Sequence, residues 1–257
     1  MELMEFEELE STNGYCGELD LRNVEEFTTV WAHRQTAGRG QRGNRWESED
    51  EKNLTFSVVL HPTFLPAARQ YELTKALSLG VSDWVAEELG GELNRVQIKW
   101  PNDIYAERRK ICGMLIENKI GERYETAVCG IGLNVNQTEF GEGAPNATSL
   151  KLLTGKDYEL RGLLEGVLES LRRRYEELVG RGQWAVVGGQ QSAGCIEREY
   201  LGRLMNLGKE CNYTYKGKPI RATITGVSEW GHLQLTTNDG EKIECGMKEI
   251  VFEREGR

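Results

Sequence analysis

Two runs of apolar residues at helical spacing, set among strand-like runs and followed by a tail of short strands, confine this chain to a mixed α and β architecture. Leu73, Ala76, Leu77, Val81, Trp84, Val85 and Leu89 recur three and four apart and stop at Gly90-Gly91, predicting an amphipathic helix over 67–89. Leu160, Leu163, Leu164, Val167, Leu168, Leu171, Tyr175 and Leu178 mark a second, with Arg172, Arg173, Arg174, Glu176 and Glu177 largely on its other face and Gly180 as its stop. Strands are expected over 27–33, 54–61, 95–100, 111–117 and 124–132. From Tyr213 onward the runs 213–215, 220–227, 232–236, 242–245 and 249–252 are short, separated by Lys216-Gly217-Lys218, Trp230-Gly231 and Asn238-Asp239-Gly240. That texture predicts a small terminal β-barrel of about 50 residues, dividing the chain into 1–204 and 205–257.

Acids outnumber bases 41 to 32, and the net charge of -9 repels phosphate backbones and anionic lipid, which argues against general nucleic-acid or membrane affinity. Hydrophobic residues at 39% and charged residues at 28% exclude disorder as the main state. No apolar run is long enough to span a bilayer, and Met1 to Glu10 holds five glutamates and no cation, so a secretion signal is not expected. Six dispersed cysteines without a Cys-x-x-Cys pair, and three scattered histidines, predict reduced thiols in a cytoplasmic protein rather than a zinc or iron-sulfur site.

Against that acidic background, residues 34–46 carry four arginines and three glycines and no acid. Gly38, Gly40 and Gly43 permit positive φ and an inward-turned nest of N–H groups, while Arg39, Arg42 and Arg45 offer forked donors for phosphate or carboxylate. The formal G-x-G-x-x-G within it is not a dinucleotide fingerprint, because a polar turn follows where a helix should. In Arg95 to Asp103, alternation sends Val96, Ile98 and Trp100 to one face and Lys99 to the other, beside a turn bearing Asn102 and Asp103. Lys99 can meet a phosphate, and Asp103 suits Mg²⁺, which takes one or two carboxylates plus substrate phosphates. Arg108-Arg109-Lys110 opens the strand holding Gly113, a glycine that permits close approach of a ligand. Gly130 to Asn136 ends a strand and leads into a polar stretch to Ser149, long enough for a lid.

Taken in order, Ser11-Thr12-Asn13, the Gly38 to Trp46 loop, Lys99-Trp100-Pro101-Asn102-Asp103, Arg109 to Gly113 and Gly130 to Asn136 resemble the biotin–protein ligase family over nearly the whole chain. The resemblance implies an α+β fold: a mixed α/β catalytic domain of the biotin/lipoate ligase type with a small C-terminal SH3-like barrel. It also implies a two-step reaction in which biotin and MgATP give biotinyl-5′-adenylate and pyrophosphate, and a lysine of a biotin carboxyl carrier domain of a carboxylase or decarboxylase then displaces AMP. By that likeness Ser11, Thr12, Asn13 and Gln35 face the biotin ring, and Gly38, Arg39, Gly40, Gln41 and Gly113 surround its tail. Lys110, Arg39 and Lys99 neutralise the reacting groups. Arg42, Trp46, Lys99, Asn102 and Asn134 serve ATP, and Asp103 serves the metal.

Two positions depart from the family's common pattern, Gln41 and Asn44 standing where many members carry arginine, and Arg42 and Arg45 are expected to take over part of that role. Because Ser11 lies so near the start, no preceding DNA-binding domain and no operator binding are expected. A lipoate–protein ligase and a non-catalytic module using the basic loop to dock RNA or an acidic peptide are the two alternatives. Which carrier accepts the biotin, and whether copies pair through a sheet edge as a homodimer, stay open.

Overall fold

The computed structural model describes residues 2–121, 124–185 and 193–253, with the backbone alone at Arg42, 181–185 and 193–195. In chain order its elements are β1 (Leu3–Leu9), α1 (Thr12–Glu18), β2 (Thr29–Gln35), β3 (Leu54–Leu60), α2 (Tyr71–Glu88), β4 (Val96–Lys99), β5 (Asp103–Ala106), β6 (Arg109–Ile120) and β7 (Tyr124–Leu133). Then follow α3 (Leu150–Thr154), α4 (Leu160–Ala185), α5 (Ala193–Arg203), β8 (Glu210–Tyr215), β9 (Lys218–Val227), β10 (Leu233–Thr237), β11 (Lys242–Cys245) and β12 (Ile250–Phe252). None of the described helices is long and apolar enough to cross a membrane.

Strands β1 to β7 form one sheet in the order β1-β2-β3-β7-β6-β5-β4, parallel between β1 and β2 and antiparallel elsewhere. Alternation splits its faces. Trp31, Val58, Leu60, Ala127 and Cys129 point to the main core with α2 and α4, whereas Val30, Val59 and Val128 point the other way and meet Cys16 of α1. Both predicted stripes lie in or against that core.

Helices α2 and α4 pack closely where α2 carries no side chain, at Gly80. A methyl at Gly80 would lie 3.1 Å from Leu171 Cα, and Ser170 Oγ donates to Gly80 O at 2.9 Å. Because α2 is covered on nearly all sides, its polar residues are buried too and each needs a partner. Lys75 Nζ donates to Glu72 at 3.0 Å and to Glu197, and Asp83 accepts from Arg174 and Arg203, both at 2.7 Å. Burial pushes the Asp83 carboxyl up, but the two guanidinium groups outweigh it and hold its pKa below the usual carboxylate range. A lowered folded pKa makes this contribution complete above the unfolded value of about 4, and it disappears as pH falls through the folded value. Asp83→Ala is therefore expected to cost about 2 kcal/mol at neutral pH and to flatten the acid limb of a denaturation series below about pH 4, because it removes the acceptor that Arg174 and Arg203 share while leaving Arg174 its pairs with Glu177 and Glu199.

Strands β8 to β12 form an antiparallel sheet in the order β11-β10-β9-β8-β12. This corrects the expected closed barrel: among the described residues no ladder joins β11 to β12, since β12 is a three-residue strand whose ladder is to β8 alone. Two further differences have local causes. Helix α4 passes through Gly180 and runs to Ala185, glycine being a cost in a helix and not a stop unless the backbone turns left-handed. Gly90 and Gly91 do turn, with φ of 90° and 85°, and α2 ends there. Strands β1 and β5 and the short helices α1, α3 and α5 escaped the periodicity reading, β1 because an edge strand tolerates the glutamates that interrupt its pattern.

Candidate active site

Sheet register brings two transverse rows together on the α1 face. One row is Ser57, Gly130 and Leu115; its neighbour is Thr55, Gly132, Gly113, Asp103 and Lys99. Glycine in these rows makes room for what lies on top. A methyl at Gly130 would sit 2.2 Å from Asn13 Oδ1, one at Gly132 2.2 Å from Trp46 Cε2, and one at Gly113 2.9 Å from Trp46 Cζ3. Over this floor opens a cavity of about 810 Å³, within the range of small-molecule sites.

One end of the cavity is neutral and polar. Ser11 caps α1, its hydroxyl accepting from Gly14 N at 3.4 Å, and Thr12 N donates to Gln35 Oε1 at 2.8 Å. Ser57 Oγ lies 2.7 Å from Thr12 Oγ1 and 2.6 Å from Asn13 Oδ1, while Asn13 Nδ2 donates to Leu115 O at 3.2 Å and to Glu117 Oε2 at 2.8 Å. Asn13 is thus committed to protein partners and orients its neighbours. Ser57 and Glu117 were missed by sequence reasoning. Their signals were a hydroxyl pair, Thr55 and Ser57, alternating within a buried strand, and a carboxylate closing the apolar run of β6.

The arginine loop folds back as a small hairpin, with Gly40 N donating to Asn44 O at 2.7 Å and Trp46 N to Gly38 O at 3.0 Å. Of its three glycines only Gly43 has positive φ, 83°. Gly38 and Gly40 are required instead by close approach: methyls there would meet Trp46 O at 2.4 Å and Asn44 O at 3.1 Å. Arg39 pairs with Glu117 at 2.8 Å, and Arg45 donates to Thr36 O at 3.2 Å. Gln41, Asn44 and Arg45 line the cavity; the Arg42 side chain lies outside the described residues.

At the other end stand the cations of β4 and β6. Lys110 Nζ lies 2.8 Å from Asp103 Oδ1 and 5.4 Å from the centre of the Trp46 ring. Simple alternation would put Lys110 and Gly113 on opposite faces, but a register shift between β5 and β6, pairing Tyr105 with Lys110 and Ile104 with Cys112, turns Lys110 into the cavity. Lys99 Nζ donates to Tyr105 Oη at 3.3 Å and stands 5.1 Å from the Phe252 ring centre. Residues 247, 248 and 250–252 of the C-terminal sheet complete that wall.

Two expected nucleotide residues are engaged in holding the frame. Asn102 Nδ2 donates to Met114 O, and Asn134, buried, donates through Nδ2 to Thr148 O at 2.9 Å. The expected lid, 134–149, lines the cavity at Phe140 and Gly143 to Ala147, and its far end is tied to Lys110 by Lys110 N to Asn146 O and Thr148 N to Lys110 O, both 2.8 Å. The described cysteines are free thiols; burial pushes Cys16 up to about 12 and Cys245 up to about 11, so neither is a ready nucleophile. The cavity therefore suits chemistry between bound reactants, with lysines and arginine set to offset the charge of more than one anion.

The family described as biotin/lipoate A/B protein ligase matches residues 5–134. The chain is 31% identical over 240 residues to the bifunctional ligase/repressor BirA of Bacillus subtilis, covering 91% of this chain and 69% of that protein. It is 35% identical over 119 residues to a biotin–[acetyl-CoA-carboxylase] ligase of Mycobacterium tuberculosis, covering 46% and 43% of the two. A solved biotin protein ligase from Aquifex aeolicus, in complex with biotin and ATP, superposes with a TM-score of 0.77 at 28% identity over 99% of both chains. In residues, relatives and architecture alike, the chain belongs to the biotin/lipoate A/B protein ligase family, and within it to the biotin–protein ligases.

Proposed function

We propose that this enzyme joins biotin to ATP as biotinyl-5′-adenylate and passes the biotinyl group to one lysine of a carboxyl carrier domain. In the first step a biotin carboxylate oxygen bonds to the α-phosphorus and pyrophosphate leaves; in the second the lysine amine bonds to the acyl carbon and AMP leaves. One observation carries the reading: a single cavity joins a neutral hydrogen-bonding end, at Ser11, Thr12 and Gln35, to a cationic end at Lys99 and Lys110, over a floor kept open by Gly113 and Gly132, with Arg39 also in its lining. The first end suits an uncharged ureido ring and the second a carboxylate beside a triphosphate, which repel each other unless neutralised.

Asp103 is the carboxylate at the cationic end closest to Lys110, and no group of three metal-binding side chains occurs among the described residues. That donor set fits a Mg²⁺ ion brought in on nucleotide phosphates, which the ion would help neutralise. Trp46 serves as a wall against the bound adenylate. In the same reading 1–204 is the catalytic unit and 205–257 an SH3-like unit lending it a wall, in a cytoplasmic enzyme. The repressor half of the Bacillus relative's name is not transferred, the charge of -9 opposing DNA.

The test is mass spectrometry of a carrier domain after incubation with the protein, biotin and MgATP. One biotinyl addition on one lysine is expected, with pyrophosphate released by biotin and not by lipoate. Release with lipoate alone would move the chain to the lipoate side of its family, and no release with either acid would overturn ligase activity.

A further inference from the structure

The residues joining the cationic end of the cavity to the rest of the molecule are buried aromatic side chains with defined polar contacts. Trp100 follows Lys99 directly, and its indole Nε1–H donates to Gly231 O, in the turn between β9 and β10, at 2.9 Å. Tyr71, at the start of α2, donates its hydroxyl to Pro101 O at 3.0 Å and lies 2.8 Å from the Tyr200 hydroxyl of α5. Gly231 has φ of 85°, and a methyl on it would stand 2.4 Å from Tyr71 Cδ2. The β9–β10 turn, α2 and α5 thus converge on the two residues between Lys99 and Asn102. A buried indole N–H or hydroxyl costs free energy unless it is paired, so these bonds fix where Trp100 and Pro101 sit.

The same C-terminal sheet that receives the Trp100 bond supplies Phe252, over whose ring Lys99 sits. The geometry points to Trp100 and Tyr71 as positioning residues for the nucleotide half of the reaction: a buried latch that sets the Lys99 to Asp103 turn against the wall formed by residues 247–252. The inference rests on the biotin and ATP reading above and assigns these side chains a role within it. Ser11, Thr12 and Gln35 belong to the start of α1 and to β2, on the other side of β7 from the latch, so the latch holds none of the residues of the acid-binding end.

The test uses Trp100→Phe, which removes the N–H and keeps a ring, and Tyr71→Phe, which removes only the hydroxyl. Biotin affinity is read by calorimetry without nucleotide, and KM for ATP and kcat by biotin-dependent pyrophosphate release. Each variant is expected to raise KM for ATP by on the order of tenfold, the equivalent of one buried hydrogen bond, while biotin affinity stays within about twofold of the parent. An unchanged KM for ATP in either folded variant overturns the latch, as does an equal loss of affinity for biotin and ATP. If the parent protein itself releases no pyrophosphate from biotin and MgATP, the underlying functional reading falls instead.

Discussion

Lys110→Ala is expected to lower biotin-dependent pyrophosphate release by about 10²- to 10³-fold, the range for removing a preorganised charge-stabilising donor. Nζ of Lys110 is held at the cationic end of the cavity, 2.8 Å from Asp103 and above Trp46. Its backbone is fixed on both sides by the 146–148 segment, so the loss is of charge and not of loop geometry. The melting temperature should move little, because the Lys110–Asp103 pair is partly exposed and contributes modestly to stability. Lys110→Arg is expected to recover little, since a planar fork does not replace a compact ammonium placed at one point. Turnover in Lys110→Ala above about a third of the parent rate would remove this residue from the centre of the mechanism.

Gly132→Ala should be almost as damaging, although it adds only a single methyl. That methyl would lie 2.2 Å from Trp46 Cε2, and the indole has little room to withdraw because the Trp46 backbone is hydrogen-bonded to Gly38 and packed against it. Overpacking of this kind costs about 1–3 kcal/mol, here relieved by expelling the ring and opening the hairpin. Biotin affinity is expected to fall by about tenfold to a hundredfold, read by calorimetry. Trp46→Ala combined with Gly132→Ala should be no worse than Trp46→Ala alone, since both changes remove the same contact. Gly17→Ala is the control: a methyl there meets nothing within 4 Å, and affinity should be unchanged.

Helices α2 and α4 were legible because their core stripes recur at a period only a helix satisfies, and β2, β3, β4, β6 and β7 were placed within a few residues, whereas β5, only four residues long and directly after a turn, was not foreseen. Helix α1 was not, though it carries Ser11-Thr12-Asn13: its seven residues have no apolar period and are held by a cap and by packing on β3 and β7. Asp103 is a site candidate from its turn and Lys110 from the family resemblance. Their pairing could not be read that way, because it depends on the shifted β5–β6 register. Glu117, 78 residues from Arg39 and 104 from Asn13, is joined to both only in three dimensions.

What the sequence by itself determined is the inventory: an acidic chain with one acid-free arginine and glycine loop, two lysines beside turns and strands, and enough periodicity to specify helices and sheets. Those are local facts, governed by residue type and spacing along a few turns or a few rungs. Only the tertiary structure decided that Thr55, Gly132, Gly113, Asp103 and Lys99 share one row, that the Trp46 ring packs against Gly113 and Gly132, and that the C-terminal sheet closes the wall beside Lys99. The physical reason is register. A one-residue shift turns a strand's side chains to the opposite face, and which shift is adopted is settled by burial and hydrogen bonding between segments distant in the chain.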